Sequence, residues 1–193
     1  MIQIKRIYEA RPLEKNELDM AIELFAQAIP RHWPNSAEEA RLWVHDEFHH
    51  SEAMVIGNFY KGALNAVVCL VPFRFVLLNL PDRERKLVET ALASSFPDLK
   101  MEEIIHLGGL AVSKEVFGIG WGLLLFKIAE REAQERGYKL QIGHTARQSK
   151  KYPSRRILTS LVKRGGWLEL PVSEPIYYPN PSDLEKVWGY KPC

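Results

Sequence analysis

Three glycines at alternate positions, Gly118, Gly120 and Gly122, stand between an apolar run and a long amphipathic segment. The run Ile104–Val112 is apolar nearly throughout, which is typical of a strand buried on both faces. From Leu123 onward the apolar residues recur at helical spacing. A glycine loop that opens a helix can bind an anion, because backbone N–H groups and the positive end of the helix dipole point at the ligand. The stretch therefore predicts a strand, a phosphate-binding loop and a helix.

Two common phosphate-binding motifs do not fit this loop. A P-loop needs Lys and then Ser or Thr directly after its last glycine, whereas Gly122 is followed by leucines. A dinucleotide fingerprint needs G-x-G-x-x-G. Counted from Gly118, the sixth position is Leu123, and counted from Gly120 it is Leu125. The remaining interpretations are a structural turn of small residues and a pyrophosphate loop of another kind.

The hexad Phe117–Gly122, together with the strand end Leu110-Ala111-Val112, resembles the acetyl-CoA signature of the GNAT N-acetyltransferase superfamily, [Gln/Arg]-x-x-Gly-x-Gly/Ala. Gly120 and Gly122 match its two small positions. The resemblance extends to the element order of the whole chain and implies one GNAT-like domain over residues 1–193. It implies an α/β fold with a mixed, mostly antiparallel sheet of six to seven strands, a splayed strand pair and helices on both faces.

The resemblance implies that the protein binds acetyl-CoA or another acyl-CoA. The residues expected at the cofactor are those of the strand end and the hexad: Leu110, Ala111, Val112, Phe117, Gly118, Ile119, Gly120, Trp121 and Gly122. Phe117 departs from the family's Gln or Arg, which removes a polar contact but leaves the backbone donors. Gly108 and Gly109 inside the strand indicate a bulge or a close ligand approach, as expected of the strand that splays to admit the pantetheine arm.

Acyl transfer to an amine benefits from a base that takes the proton of the amine. His106 falls where the histone-acetyltransferase branch of the family carries its catalytic Glu, and an imidazole of ordinary pKa suits that role. The alternative is a hydrogen-bonded core histidine. Glu102 and Glu103 either act through a water or are solvated charges at the strand entry. His144, on the next strand, either orients the substrate or has a structural role.

Other family positions are less well matched. The tyrosine that usually protonates the leaving thiolate aligns with Val162, and three nearby residues could substitute for it: Tyr152, Thr159 and Ser160. Trp33, between the first two helices, is either a wall of the acceptor pocket or a hydrophobic staple. The basic loop 147–156 is either solvated or a partner for the 3′-phosphate or an acidic acceptor.

Alternation, capping signals and breakers predict the other elements. The predicted strands are 2–8, 53–59, 64–73, 138–145, 167–170 and 176–178, with a glycine-containing hairpin turn at Tyr60-Lys61-Gly62-Ala63. The predicted helices are 13–29, 36–49, 83–95 and 157–163.

Composition limits the class of protein. With 193 residues, 46% hydrophobic and 26% charged residues, and a net charge of +2, the chain is typical of a soluble globular protein and not of a nucleic-acid binder. Cys69 and Cys193 have no metal or disulfide spacing, and His45, His49 and His50 indicate a solvated helix end. The N-terminus has no signal-peptide pattern, and the longest apolar stretch is too short to span a membrane.

The resemblance implies an N-acyltransferase in which an amine attacks acyl-CoA directly in a ternary complex, and the N-terminal and apolar patterns predict a cytoplasmic protein. The expected acceptor is a small-molecule or peptide amine, with no metal, nucleic-acid or membrane partner, and the expected state is a monomer or homodimer. One alternative is a GNAT-like module that binds acyl-CoA without turnover. The other is an unrelated α/β domain whose glycine loop binds a different phosphate ligand.

Overall fold

The computed structural model describes residues 8–28, 37–116, 120–146, 166–178 and 184–193. In chain order the elements are β1 (Tyr8–Pro12), α1 (Leu18–Ala28), α2 (Ala37–His49), β2 (Met54–Tyr60), β3 (Ala63–Pro72), α3 (Phe73–Asn79), α4 (Asp82–Ser95), β4 (Ile104–Val112), α5 (Trp121–Glu135), β5 (Leu140–Ala146), β6 (Leu168–Glu169), β7 (Ile176–Tyr177) and β8 (Glu185–Pro192). The chain forms two compact units. One comprises the chain through Val71 and Leu107–Ala133, and the other comprises Pro72–His106 and Gln134–Cys193.

The first unit begins with an antiparallel sheet, in which β1 pairs with β2 and β2 pairs with β3. The predicted hairpin turn is confirmed: Lys61 and Gly62 both have positive φ angles, 52° and 81°. This is the backbone that a two-residue type I′ turn needs. The described part of the first strand is Tyr8–Pro12, so the strand runs four residues past the predicted end at Tyr8. Residues 2–7 of the predicted strand lie outside the described residues. Pro12 is tolerated at its end because β1 is an edge strand.

In the second unit, β4 and β5 form a parallel pair whose register joins Ile104, Ile105 and His106 to Leu140, Gln141 and Ile142. Strand β5 pairs antiparallel with β8 along its whole length, and β6 and β7 both pair with β8. Among the described residues the mixed sheet therefore has eight strands, in the order β1-β2-β3-β4-β5-β8-β6 with β7 beside β8. The expectation of six to seven strands is too low, because the sequence pattern does not reveal β8.

A buried ion pair explains why β8 is hard to recognise. Lys186 interrupts the apolar pattern of the strand, yet it is only 9% exposed. Its Nζ lies 3.0 Å from both carboxylate oxygens of Glu84 on α4, and Trp188 Nε1 donates to Glu84 Oε1 at 2.9 Å. The lysine can lie inside because a partner 102 residues away in the chain neutralises it.

The helices agree with the predicted pattern, with one addition. Helices α1, α2 and α4 fall within two residues of the predicted ends, except that the start of α1 is replaced by a 3-10 turn at Lys15–Glu17. The addition is α3, where Phe73, Val76 and Leu77 are buried at helical spacing. The predicted helix 157–163 lies outside the described residues. No helix within the described ranges is long and apolar enough to cross a membrane.

Candidate functional site

The start of α5 is packed onto the end of β4 within the first unit. A Cβ placed on Gly122 would lie 3.5 Å from Val112 Cγ2 and 3.8 Å from Leu110 Cδ2, so both side chains lie next to the start of the helix. Trp121 is buried with its ring edge-on to Tyr60, at 6.0 Å between ring centroids. The first turn of the helix is therefore held at a fixed place beside β4.

Gly120 sets the direction in which the chain enters α5. Its φ angle of +92° lies in the left-handed region, which only glycine adopts without strain. Leu124 N donates to Gly120 O at 3.0 Å, which makes Gly120 the residue that begins the helical hydrogen bonding. The N–H groups of a first helical turn have no acceptor within the helix and point outward. Gly120 is exposed and Gly122 is partly exposed, so an anion can reach this helix end.

The residues predicted at the cofactor are only partly described. Leu110, Val112, Gly120 and Gly122 lie at the junction of β4 and α5, and Ala111 is 3% exposed between the first two. Trp121, the other described hexad member, is buried at the start of α5. Phe117, Gly118 and Ile119 lie outside the described residues. The predicted grouping of strand end and helix start is therefore present, while its polar contacts stay a prediction.

The end of β4 is fixed to the hairpin. Ser113 N donates to Asn65 O at 2.7 Å, and Ser113 Oγ donates to Asn65 Oδ1 at 3.1 Å. Asn65 is 7% exposed and its amide also donates to Ala63 O at 2.7 Å. These bonds position the backbone that follows Val112 and so help to fix the start of the glycine loop.

The structure adds one residue that the sequence pattern does not single out, Glu47 in the last turn of α2. Its Oε2 occupies the space beside Gly108 where any Cβ would collide with it. Burial raises the Glu47 pKa from 4.5 to about 7. A carboxylate at a helix C-terminus also faces the negative end of the helix dipole, which disfavours its charge further. In the sequence, Glu47 is one of several charges on a polar helix, and its contact with Gly108 is long-range.

Cys69 on β3 is the titratable neighbour of this carboxylate. Its thiol is fully buried and donates to the backbone oxygen of Glu47, with 3.8 Å between sulfur and oxygen. Burial, and next the nearby Glu47 charge, raise the pKa of the thiol well above its ordinary value. Cys69 is therefore a protonated core residue.

His106 lies in an aromatic cluster of the second unit. It is 2% exposed, and its ring centroid lies 6.4 Å from Phe73, 5.6 Å from His144 and 6.0 Å from Trp188. Within the described residues neither ring nitrogen has a hydrogen-bond partner. Burial, with a smaller contribution from the Lys186 charge, lowers the His106 pKa to about 3. A base must reach the amine, so this placement argues against the catalytic role, which stays a prediction.

The structure brings the two predicted histidines together but leaves Trp33 outside the described residues. His144 Nδ1 lies 3.2 Å from the Tyr178 hydroxyl, and its ring packs edge-on to Trp188 at 4.8 Å between centroids. Burial lowers the His144 pKa well below its ordinary value, as do the nearby Lys186 charge and His106. His144 is thus tied into the cluster, and its substrate-binding role stays a prediction.

Two further sets of candidate residues have structural partners. Glu103 forms an ion pair with Lys139 at 2.5 Å, and that hydrogen bond lowers its pKa. His45 and His49 face each other with ring centroids 4.6 Å apart, and they contact Asp46 and Asp19 respectively. No group of three or more potential metal ligands occurs among the residues that the structure describes.

Comparisons with known proteins identify the fold. No protein-family model and no curated protein sequence matches the chain. Among solved structures, it resembles ribosomal-protein-S18-alanine N-acetyltransferase from Escherichia coli, with a TM-score of 0.63 at 13% identity over 96% of this chain and 93% of that one. It also resembles ribosomal-protein-alanine N-acetyltransferase from Brucella melitensis, with a TM-score of 0.61 at 14% identity over 96% and 99%. A GNAT-family acetyltransferase from Streptococcus pneumoniae gives 0.60 at 13% identity over 96% and 99%. The chain therefore has the fold of the GNAT acetyltransferases.

Proposed function

We propose that the protein is an N-acyltransferase that transfers an acetyl or other acyl group from acyl-CoA to an amine. The observation that carries the proposal is the packing of Gly122, at the start of α5, against Leu110 and Val112 of β4. In a chain with the fold of acetyltransferases, this junction presents a helix N-terminus and a strand end side by side. Acyl-CoA is a substrate here and supplies the activated thioester.

The residues present at this junction suit the proposed donor. The exposed backbone of Gly120 and the helix start offer N–H donors and a positive dipole end for a pyrophosphate. Leu110 and Val112 are partly exposed, and the backbone of a strand can form hydrogen bonds with the amide groups of a pantetheine arm. Phe117, Gly118 and Ile119 are proposed to complete the pyrophosphate loop.

The proposed reaction is direct attack of the acceptor amine on the thioester in a ternary complex. General acid help to the leaving thiolate is worth about 10²–10⁴-fold, and Val162 at the family's tyrosine position cannot provide it. The acceptor is proposed to be a small-molecule or peptide amine. The ribosomal-protein alanine acceptors named for two structural neighbours are one class to include among the amines tested.

Titration with acetyl-CoA while following thermal unfolding tests the proposal. A ligand that binds the folded state raises the unfolding midpoint as its concentration passes the dissociation constant. We expect acetyl-CoA and coenzyme A to raise the midpoint, and ATP, which lacks the pantetheine arm, to raise it less. The proposal is wrong if saturating acetyl-CoA leaves the midpoint unchanged.

Binding alone would also be expected of a module without turnover. Release of free thiol from acetyl-CoA separates the two, measured with amino acids, an aminoglycoside, a lysine-containing peptide and a peptide with a free N-terminal alanine as acceptors. Acceptor-dependent thiol release supports the enzyme. Binding without release from any of these acceptors favours the non-catalytic module.

A further inference from the structure

We infer that Glu47 is the general base of the acyl transfer and that its carboxylate faces the acceptor amine beside Gly108. The inference rests on the proposed acyltransferase function. It assigns the base to α2, in place of the position predicted on β4.

The contact with β4 depends on two consecutive glycines. A side chain on Gly108 would collide with Glu47 Oε2, and one on Gly109 would come within 2.7 Å of the Phe25 ring. Consecutive residues of α2, Glu47 and Phe48, therefore lie against consecutive glycines of the strand. The Gly109 gap is filled by aromatic rings, whereas the Gly108 gap receives a carboxylate, which costs free energy to bury. Packing alone does not account for that choice.

Within the described parts of the chain the carboxylate has no counter-charge: burial raises its pKa, and no positive group lowers it. The elements around it are α1, β3 and β4. Strand β3 presents the neutral Cys69 thiol, and β4 presents glycine backbone. Charged side chains of α1 and α2 have other partners: Asp19 with His49, Glu23 with Arg41, and His45 with Asp46. Because Glu47 and Gly108 are partly exposed, a substrate ammonium group can supply the missing partner.

The distance along β4 suits a base. Gly108 precedes Leu110 by two residues, which is about 7 Å at the rise of a strand. A base lies about 3 Å from the nitrogen that it deprotonates, and that nitrogen lies about 3 Å from the carbon that it attacks. The two separations sum to about 6 Å, so one amine nitrogen fits between the Glu47 carboxylate and an acyl group held at Leu110.

The proposed acyl transfer begins with the loss of a proton from the acceptor. The Glu47 carboxylate takes one proton from the substrate ammonium, which leaves a neutral amine. The nitrogen lone pair attacks the thioester carbon, so that the new C–N bond replaces the C–S bond. The second nitrogen proton leaves with the thiolate, which gives the free thiol. A Glu47 pKa of about 7 leaves the carboxylate about half ionised at neutral pH, close to the best match for a base.

A binding experiment tests this assignment without knowledge of the acceptor. The aminoethyl thioether of coenzyme A carries an ammonium group just beyond the sulfur, near the place of the attacking nitrogen. Its affinity is compared with that of coenzyme A in wild type, Glu47→Gln and Asp46→Asn by calorimetry at pH 8. Asp46 is the matched control, because it adjoins Glu47 but its side chain is 84% exposed. A charge-assisted bond is worth about tenfold in affinity or more.

We expect the aminoethyl thioether to bind at least about tenfold more tightly than coenzyme A in wild type and Asp46→Asn, but not in Glu47→Gln. In wild type this difference in affinity should decrease below pH 7, because the carboxylate becomes protonated. The assignment of Glu47 is wrong if the aminoethyl thioether gains the same affinity over coenzyme A in all three proteins, or gains none in any of them. Either result leaves the proposed function unaffected. Failure of coenzyme A itself to bind overturns the proposed function. Unfolding midpoints of the variants confirm that each is folded.

Gly108→Ala gives an independent variant. The added Cβ must displace Glu47 Oε2, so the gain of the aminoethyl thioether over coenzyme A should fall while Glu47 itself is retained. An unchanged gain in a folded Gly108→Ala protein also overturns the assignment.

Discussion

Lys186 Nζ lies 3.0 Å from both carboxylate oxygens of Glu84, and both side chains are buried. Removal of one member leaves an uncompensated buried charge, which typically costs about 3–5 kcal/mol. We therefore expect Glu84→Ala to lower the free energy of unfolding by about that amount, measured by urea denaturation.

The neighbouring residue provides the control for this experiment. Arg83 pairs with Glu174 at 2.7 Å, but these side chains are 69% and 59% exposed. Exposed pairs contribute about 0–1 kcal/mol, so Arg83→Ala should change stability little. Equal losses in Glu84→Ala and Arg83→Ala would contradict the importance assigned to the buried pair.

The two glycines that flank α5 allow a matched test of the pyrophosphate site. Gly120 and Gly137 have φ angles of +92° and +83°, and a Cβ on either would meet no atom within 4 Å. Each change to alanine should cost about 1–2 kcal/mol of backbone strain. Only Gly120→Ala should also weaken acetyl-CoA binding, by about tenfold if one backbone bond to phosphate is lost. Calorimetry that shows equal affinities for the two variants would contradict this location of the site.

His106→Leu distinguishes a core histidine from a base. The pKa of His106 is 6.5 in the unfolded chain and about 3 in the folded protein. Because the unfolded chain binds the proton more tightly, His106 lowers the free energy of unfolding as pH falls through this window. We expect the variant to lose less stability than wild type between pH 7 and pH 5. Some acid sensitivity should remain, because the pKa of His144 is lowered too.

The kinetics of the same variant complete the test. Since His106 is buried, we expect His106→Leu to retain turnover measured as thiol release. A large loss of kcat with unchanged acetyl-CoA affinity would instead support the predicted catalytic role.

Glu47 should affect stability with the opposite dependence on pH. Its pKa is about 7 when folded and near 4.5 when unfolded, so the folded state holds the proton more tightly. Stability is therefore lost as pH rises from about 4.5 to 7. Glu47→Gln should gain in stability relative to wild type across that window, measured by urea denaturation at pH 5 and pH 8. Asp46→Asn should follow wild type, and a parallel curve for Glu47→Gln would show that the carboxylate is not desolvated.

Much of the fold could be predicted because its elements carry local signals. Strand β4 is a continuous apolar run and matches the prediction residue for residue, Ile104–Val112. The glycine loop and the amphipathic run that follows indicate α5, and Gly137 marks its end with a positive φ angle. These signals come from residues close in the chain, which is where periodicity and capping act.

The parts that sequence did not reveal depend on distant contacts. Lys186 gives the sequence of β8 a polar pattern, and only the folded structure shows that Glu84 neutralises this lysine. In the sequence Glu47 is one of several charged residues of α2, and its contact with Gly108 of β4 is seen only in the structure. Gly108 and Gly109 do signal a close approach, and in the structure side chains of this chain make that approach. His106 has the residue type and position of a base, but its exposure is set by Phe73 and Trp188.

The difference in burial between the two cysteines gives each compact unit its own chemical reporter. Cys69, in the first unit, is fully buried beside Glu47 and protonated, whereas Cys193, in the second, is partly exposed. A maleimide should therefore modify Cys193 in the native protein sooner than it modifies Cys69. Modification of Cys69 must wait until the first unit opens, and its rate, read by mass spectrometry, measures how often that occurs. The same protein preparation therefore offers Cys193 as an attachment point for a dye and Cys69 as a measure of the rate of local unfolding.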